Sequence, residues 1–386
     1  MSLGGSVQEN YSIVYENTGA SWSFDGGGHK VVIDKSGRYW VAYIRYAEHE
    51  GSSTTDVFVA YSDDGEIWTE ERVTNTGDAQ RNVAIAIDSN NNVHLAWDGE
   101  GWGAHSYMAQ YAVRTSGGWQ TPETIGSEES GSWEPCITID SNDDVHAVYA
   151  YDTGRIEYCK RTSGGWQTPE QVSVHMIYDQ WRPALYVDSL NNIHVIWYGL
   201  DSTWWDYYVY YRDRTSEGWQ SEIELSERGW EGYPTIITDS NNNVHVAYAG
   251  WTGTEDYYWE ILYRQRMGGT WQNIEQITDQ GGRQYNPTLS IDSFNNLHLC
   301  WTGQYWGDNT NKYGLQYCIK TTDSWEDIEI LVDDTKDHED PFSVILNNIY
   351  ALAWLSEDNN VYFTFKELLV LKSTCIPFLF KVPYWG

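Results

Sequence analysis

The sequence predicts an all-β chain: a seven-bladed β-propeller of four-stranded antiparallel blades, its ring closed by an N-terminal strand that joins the last blade. Three observations predict it. A thirteen-residue motif returns at intervals near fifty residues, its closing strand alternates apolar and aromatic residues with a period of two, and the composition suits short strands and tight turns. The chain of 386 residues holds 22 Trp and 30 Tyr, with Gly, Asn, Asp and Ser spread along its whole length.

The motif is an apolar strand ending in Asp, a turn of Ser and Asn, and a second strand closing on an aromatic residue. It reads IAIDSNNNVHLAW from Ile85, ITIDSNDDVHAVY from Ile137, LYVDSLNNIHVIW from Leu185, IITDSNNNVHVAY from Ile236 and LSIDSFNNLHLCW from Leu289. A weaker copy, VVIDKSGRYWVAY, opens the series at Val31. The Asp residues at 34, 88, 140, 188, 239 and 292 are spaced 54, 52, 48, 51 and 53 apart, a suitable length for one blade. A seventh copy, Pro341 to Trp354, lacks the Asp but keeps paired Asn and the final Trp.

Each repeat continues into a third strand, then a short turn and a fourth strand led by Trp68, Trp119, Trp166, Trp219, Trp271 or Trp325. The seventh repeat stops after its third strand, Val361 to Phe365, so Tyr11 to Asn17 is expected to supply the missing fourth. Closure of this kind removes two exposed sheet edges. Residues 1–366 are therefore expected to form one propeller domain, and 367–386 a C-terminal tail that packs on it or begins a linker.

The formal charge of −33, with only 23 Lys and Arg, argues against nucleic acid as a partner, because that binding neutralises phosphates with cations. No apolar run is long enough for membrane insertion. The five Cys stand singly inside apolar strand patterns and read as buried free thiols.

The repeat resembles those of the sialidase-like, Asp-box (BNR repeat) propeller families, which include glycosidases, polysaccharide lyases and lectins. The nearest approach to an Asp-box is SDDGEIW, Ser62 to Trp68, one residue shorter before its Trp than the family's Ser-x-Asp-x-Gly-x-Thr-Trp. Sialidases have six blades, and this chain counts seven. The resemblance implies an arginine cluster for acidic sugars, and Arg81, Arg182 and Arg283 are the candidates.

Propeller geometry separates two faces. The repeated Asp-Ser-x-Asn-Asn and Thr-Ser-Gly-Gly-Trp turns share one, and what recurs in every blade is scaffold. His94, His146, His194, His245 and His298 occupy one repeated position, too far apart around the axis for a single ion, so they are expected to bond to the turns. No cofactor is expected; calcium in the turns would lack the acidic closing ligand.

The other face carries loops that differ from blade to blade and concentrate sugar-binding groups: Trp102 and His105; Trp133 and Glu134; Asp179, Trp181 and Arg182. Further along come Trp204 and Trp205; Trp230, Glu231 and Tyr233; Trp251 and Asp256; and Trp306. Indole faces stack on the C–H faces of pyranose rings, while carboxylates, amides and guanidinium groups bond hydroxyls. At the channel mouth, Asn82, Glu134, Arg182, Tyr233, Asn286 and Asp340 share one repeat position yet differ in chemistry, as binding residues do and scaffold does not.

The expected function is recognition of an oligosaccharide or polysaccharide, in an extracellular or cell-surface setting. Two alternatives are a glycan-active hydrolase or lyase drawing on Glu134, Glu231 or Asp340, and a protein-interaction propeller.

Overall fold

The computed structural model describes residues 11–16, 18–19, 28–49, 52–100, 107–126, 131–152, 154–174, 179–200, 206–227, 229–252, 259–279, 282–304, 312–321, 324–332 and 336–368. Seven antiparallel sheets form the blades of a β-propeller. Their inner strands are Val31–Ile33, Gln80–Ile87, Ser132–Ile139, Gln180–Val187, Glu231–Thr238, Gln284–Ile291 and His338–Leu346. In blades two to five the outermost strand is split in two, as at Gly118–Trp119 and Glu123–Thr124 in blade two. Ser12–Tyr15 pairs antiparallel with Val361–Glu367 and completes blade seven. The seam is pinned by the Ser12 hydroxyl, which donates to Gly65 O at 2.6 Å and accepts from Trp68 Nε1 at 3.0 Å.

Apolar cores lie between successive blades. Val32, Trp40, Ala42 and Val59 of blade one pack with Val83, Leu95 and Trp97 of blade two, and the pattern repeats around the ring. Period-two alternation sends one face of each strand to each neighbouring blade, which is why the strands read as almost continuously apolar. Cys136, Cys159, Cys300 and Cys318 are buried and free within these layers. Burial pushes the Cys136 thiol up to about 11 and the Cys159 thiol to about 12.

The Asp-Ser-x-Asn-Asn turns form a belt. In blade four Asp188 Oδ1 accepts the N–H groups of Leu190 and Asn192, and Oδ2 accepts from Asn192 Nδ2, each at 2.8 or 2.9 Å. The fourth residue of each turn, counted from its Asp, is left-handed, as at Asn191 and Asn242, both at φ 60°, and at Asp143. Asn and Asp tolerate this region better than other non-glycine residues. The same Asn reaches the preceding blade: Asn191 Oδ1 accepts from Ser141, and Asn242 Oδ1 from Ser189.

The five repeated histidines complete this scaffold. Each ring lies between a strand-three tyrosine hydroxyl and the turn Asp, as His194 does between Tyr211 (2.7 Å) and Asp188 (3.2 Å). His146 repeats it with Tyr158 at 2.6 Å and Asp140 at 3.1 Å. The same tyrosines meet the turn Trp of the next blade edge-on, Tyr158 to Trp219 at 5.5 Å and Tyr263 to Trp325 at 5.0 Å. Trp219 and Trp325 also donate to Glu170 and Glu275, both at 2.9 Å. Histidine, Asp and Trp thus recur because they join strands and blades.

Candidate functional site

The channel-mouth residues sit at a backbone irregularity that sequence patterning did not show. In blades three to seven a Pro directly follows the mouth residue (Pro135, Pro183, Pro234, Pro287 and Pro341), and from the sequence it is read as the first residue of the inner strand. The inner strands begin three residues before that Pro in blades three to seven, and the pairing register slips across the intervening pair, for example between Trp133 and Cys136. Asn82, Glu134, Arg182, Tyr233, Asn286 and Asp340 all adopt left-handed φ between 46° and 56°. Each is the extra residue of a β-bulge, which re-aims one side chain toward the variable face. Proline fits directly after it because a bulge removes the need for a ladder N–H. In blade one the same place is Gly28, where a Cβ would collide with that of Ala84.

Hydrogen bonds tie these bulges together across blades. Asp98 Oδ1 accepts from Asn82 Nδ2 at 2.8 Å and from the Glu134 N–H at 3.0 Å. Glu134 Oε2 accepts from the Arg182 N–H at 2.7 Å. Asn286 Nδ2 donates to Asp340 Oδ1, and the Asp340 N–H to Thr302 Oγ1 at 3.2 Å.

Two concavities open among them. The smaller, of about 40 Å³ on the axis, is bordered by His29, Arg182, Tyr233, Asn286 and Asp340. The larger is a cleft of about 440 Å³ across blades two to four. Its walls include Arg81, Asn82, Trp133, Glu134, Asp179 and Trp181, six of the residues singled out from the sequence. Asp98, Tyr151 and Asp152 also line it and were not singled out. Asp98 is fully buried and lies opposite Arg81 in the strand register. Blades three to seven carry Ala150, Tyr198, Ala249, Thr302 and Leu355 at its position, and that lone carboxylate was the signal available.

Arg81, Trp133 and Trp181 hold one register position in successive blades. The Arg81 guanidinium lies 4.4 Å from the Tyr107 ring centroid. Trp181 packs against Tyr198 and Tyr207, at 5.9 and 5.7 Å. From there an aromatic run continues through Tyr233, Tyr285 and Tyr313, with centroid separations of 6.1, 6.3 and 5.4 Å. These ring pairs are tilted, with interplanar angles from 30° to 48°.

Other candidates lie elsewhere. Arg182 stacks over Tyr233 at 4.5 Å by the axial opening, and Arg283 is exposed in blade six, so the three arginines do not converge. Glu231 is 1% exposed inside blade five, where the Gly250 backbone makes room for its side chain. Trp230 is 47% exposed at φ 60°, and its carbonyl accepts the Trp251 N–H at 3.2 Å, away from the cleft. Trp102, His105, Trp204, Trp205, Asp256 and Trp306 fall outside the described residues, as do Cys375 and the tail beyond Leu368. Among the described residues no cluster of His, Cys, Asp and Glu is arranged to hold a metal, and no helix is long and apolar enough to cross a membrane.

The sequence matches no family model and no curated protein. Solved structures do match. A polysaccharide lyase of the PL25 ulvan lyase family, bound to -[GlcA(1-4)Rha3S]-, superposes with a TM-score of 0.61 at 12% identity, covering 89% of this chain and 94% of that one. An α-L-arabinofuranosidase from Fusarium graminearum, in complex with an iminosugar inhibitor, gives 0.54 at 13% identity over 82% and 98% of the two chains. A Hadza microbial sialidase gives 0.50 at 8% identity, over 82% and 74%. At these identities the likeness is one of architecture, and at that level the fold implied by the repeat holds: this chain is a seven-bladed β-propeller.

Proposed function

We propose that this protein recognises an oligosaccharide or polysaccharide in the cleft across blades two to four. The observation that carries the reading is the cleft's lining: two indoles, Trp133 and Trp181, at equivalent positions of adjacent blades, with carboxylates, an amide and a guanidinium between and beside them. Aromatic walls with convergent polar groups are what a sugar requires, its C–H faces stacking while its hydroxyls are bonded. A cleft of about 440 Å³ is of small-ligand size and takes only a few sugar units of a longer polymer. Structural neighbours that act on ulvan or arabinose-containing glycans are compatible with this reading, as is an extracellular or surface setting, where such polymers occur.

The test is a glycan array followed by calorimetry. Trp133→Ala and Trp181→Ala are each expected to weaken binding by about tenfold, comparable to the loss of one stacked aromatic contact. Absence of binding to any neutral, cationic or acidic oligosaccharide would end the proposal.

A further inference from the structure

The charge of the cleft carries the reading further, to the class of sugar. Four carboxylate side chains line it, Asp98, Glu134, Asp152 and Asp179, against one guanidinium, Arg81. Among the described residues its lining therefore sums to three formal negative charges, on a chain whose net charge is −33. Arg81 is itself engaged with the Tyr107 ring and faces Asp98 across the strand pair. The Arg182 backbone N–H donates to Glu134, and its guanidinium lies over Tyr233 at the axial opening. Among the described lining residues Arg81 is the one guanidinium, so they offer no pair to clamp a sugar carboxylate or sulfate.

Resting on the glycan reading above, we infer that the cleft rejects uronate and sulfated polymers and takes glycans built on protonated amino sugars, such as glucosamine, in preference to neutral ones. An ammonium group entering beside Asp152 and Asp179, both exposed at the rim, would form charge-assisted hydrogen bonds. The faces of Trp133 and Trp181 would add cation–π attraction to the stacking they supply to any sugar. A polyanion meets repulsion from the cleft and from the whole surface, which lowers its encounter rate as well as its affinity.

The experiment titrates the intact chain with three probes of equal length, a glucosamine oligomer, its N-acetylated counterpart and a galacturonate oligomer, at low salt and mildly acidic pH. The glucosamine oligomer is expected to bind about three- to tenfold more tightly than the acetylated one, the scale of one or two partly exposed ion pairs. Galacturonate is expected to bind most weakly. The gap should narrow at high salt and at a pH where the amine is neutral. Asp152→Asn combined with Asp179→Asn should weaken glucosamine binding more than N-acetylglucosamine binding.

Galacturonate binding as tight as that of the neutral oligomer would overturn the inference while leaving glycan recognition standing. So would glucosamine binding that persists undiminished in Trp133→Ala Trp181→Ala, because it would then reflect bulk attraction to an acidic protein. If none of the three probes binds, the glycan reading falls and the inference with it.

Discussion

The carboxylate of Glu134 accepts the backbone N–H of Arg182 at 2.7 Å, so that a side chain of blade three holds the bulge of blade four. One blade earlier, Asp98 does the same for the Glu134 N–H at 3.0 Å. The acidic groups of the cleft are thus also its framework, and ligand contact and local stability are coupled there.

Glu134→Ala is expected to lower stability by about 1–3 kcal/mol, the range for deleting a charged acceptor from a part-buried donor. Glu134→Gln keeps an acceptor and should cost about half as much. Urea unfolding of both variants checks this; an alanine variant as stable as the parent would contradict the clamp.

The belt of turns predicts a distinct pattern at Asn242, which combines φ 60° with acceptance of the Ser189 N–H at 3.1 Å and hydroxyl at 2.9 Å. Asn242→Gly should lose only the inter-blade bonds, about 1 kcal/mol. Asn242→Ala should lose those and add left-handed strain, about 2 kcal/mol in all. Thermal unfolding that ranks alanine above glycine would refute the account.

Ring closure depends on the seam between Ser12 and Trp68, joined at 3.0 Å. Ser12→Ala removes both bonds of the hydroxyl and should cost about 1–2 kcal/mol. A chain truncated to begin after Tyr15 would expose the edge of Val361–Glu367 and is expected to associate or aggregate. Light scattering that shows a stable monomer would set the seam aside.

Stability should fall on acidification, in two stages. Burial lowers the His94 and His146 pKa values, and burial followed by the nearby Lys30 takes His29 down to about 4. Burial opposes the charge of Asp188, but hydrogen bonds from His194 and Asn192 prevail and hold it at about 2; Asp88, Asp140 and Asp292 move in the same direction. In both groups the unfolded chain binds protons before the folded one does, so folding loses stability as pH falls. The melting temperature should be flat between about pH 7 and 8, decline below about 6.5 as histidines charge in the unfolded state, and drop steeply below about 4. A maximum on the acid side of that range would contradict these assignments.

Much of this protein was legible without coordinates because a propeller writes its blade into the chain repeatedly. His194 and Asn242 could be assigned to scaffold by counting alone, and the Trp that opens each fourth strand likewise. Asp98 escaped notice because it follows Trp97 inside an ordinary strand pattern, and its meaning depends on which bulge lies opposite. Glu231 illustrates the converse. It looked like a site carboxylate beside Trp230, but its pleat turns it into the blade.

The sequence by itself determined the blade count, the strand order within each blade, the closure at the N-terminal strand and the division into a repeated and a variable face. These rest on local periodicity, turn chemistry and copy number, which neighbouring residues record. Only the tertiary structure decided that Arg81, Trp133 and Trp181 meet in one cleft, while Arg182 and Arg283 are parted from Arg81. The physical reason is that a single extra residue at a left-handed φ sets the direction of each mouth side chain, and blade-to-blade packing sets which of them converge.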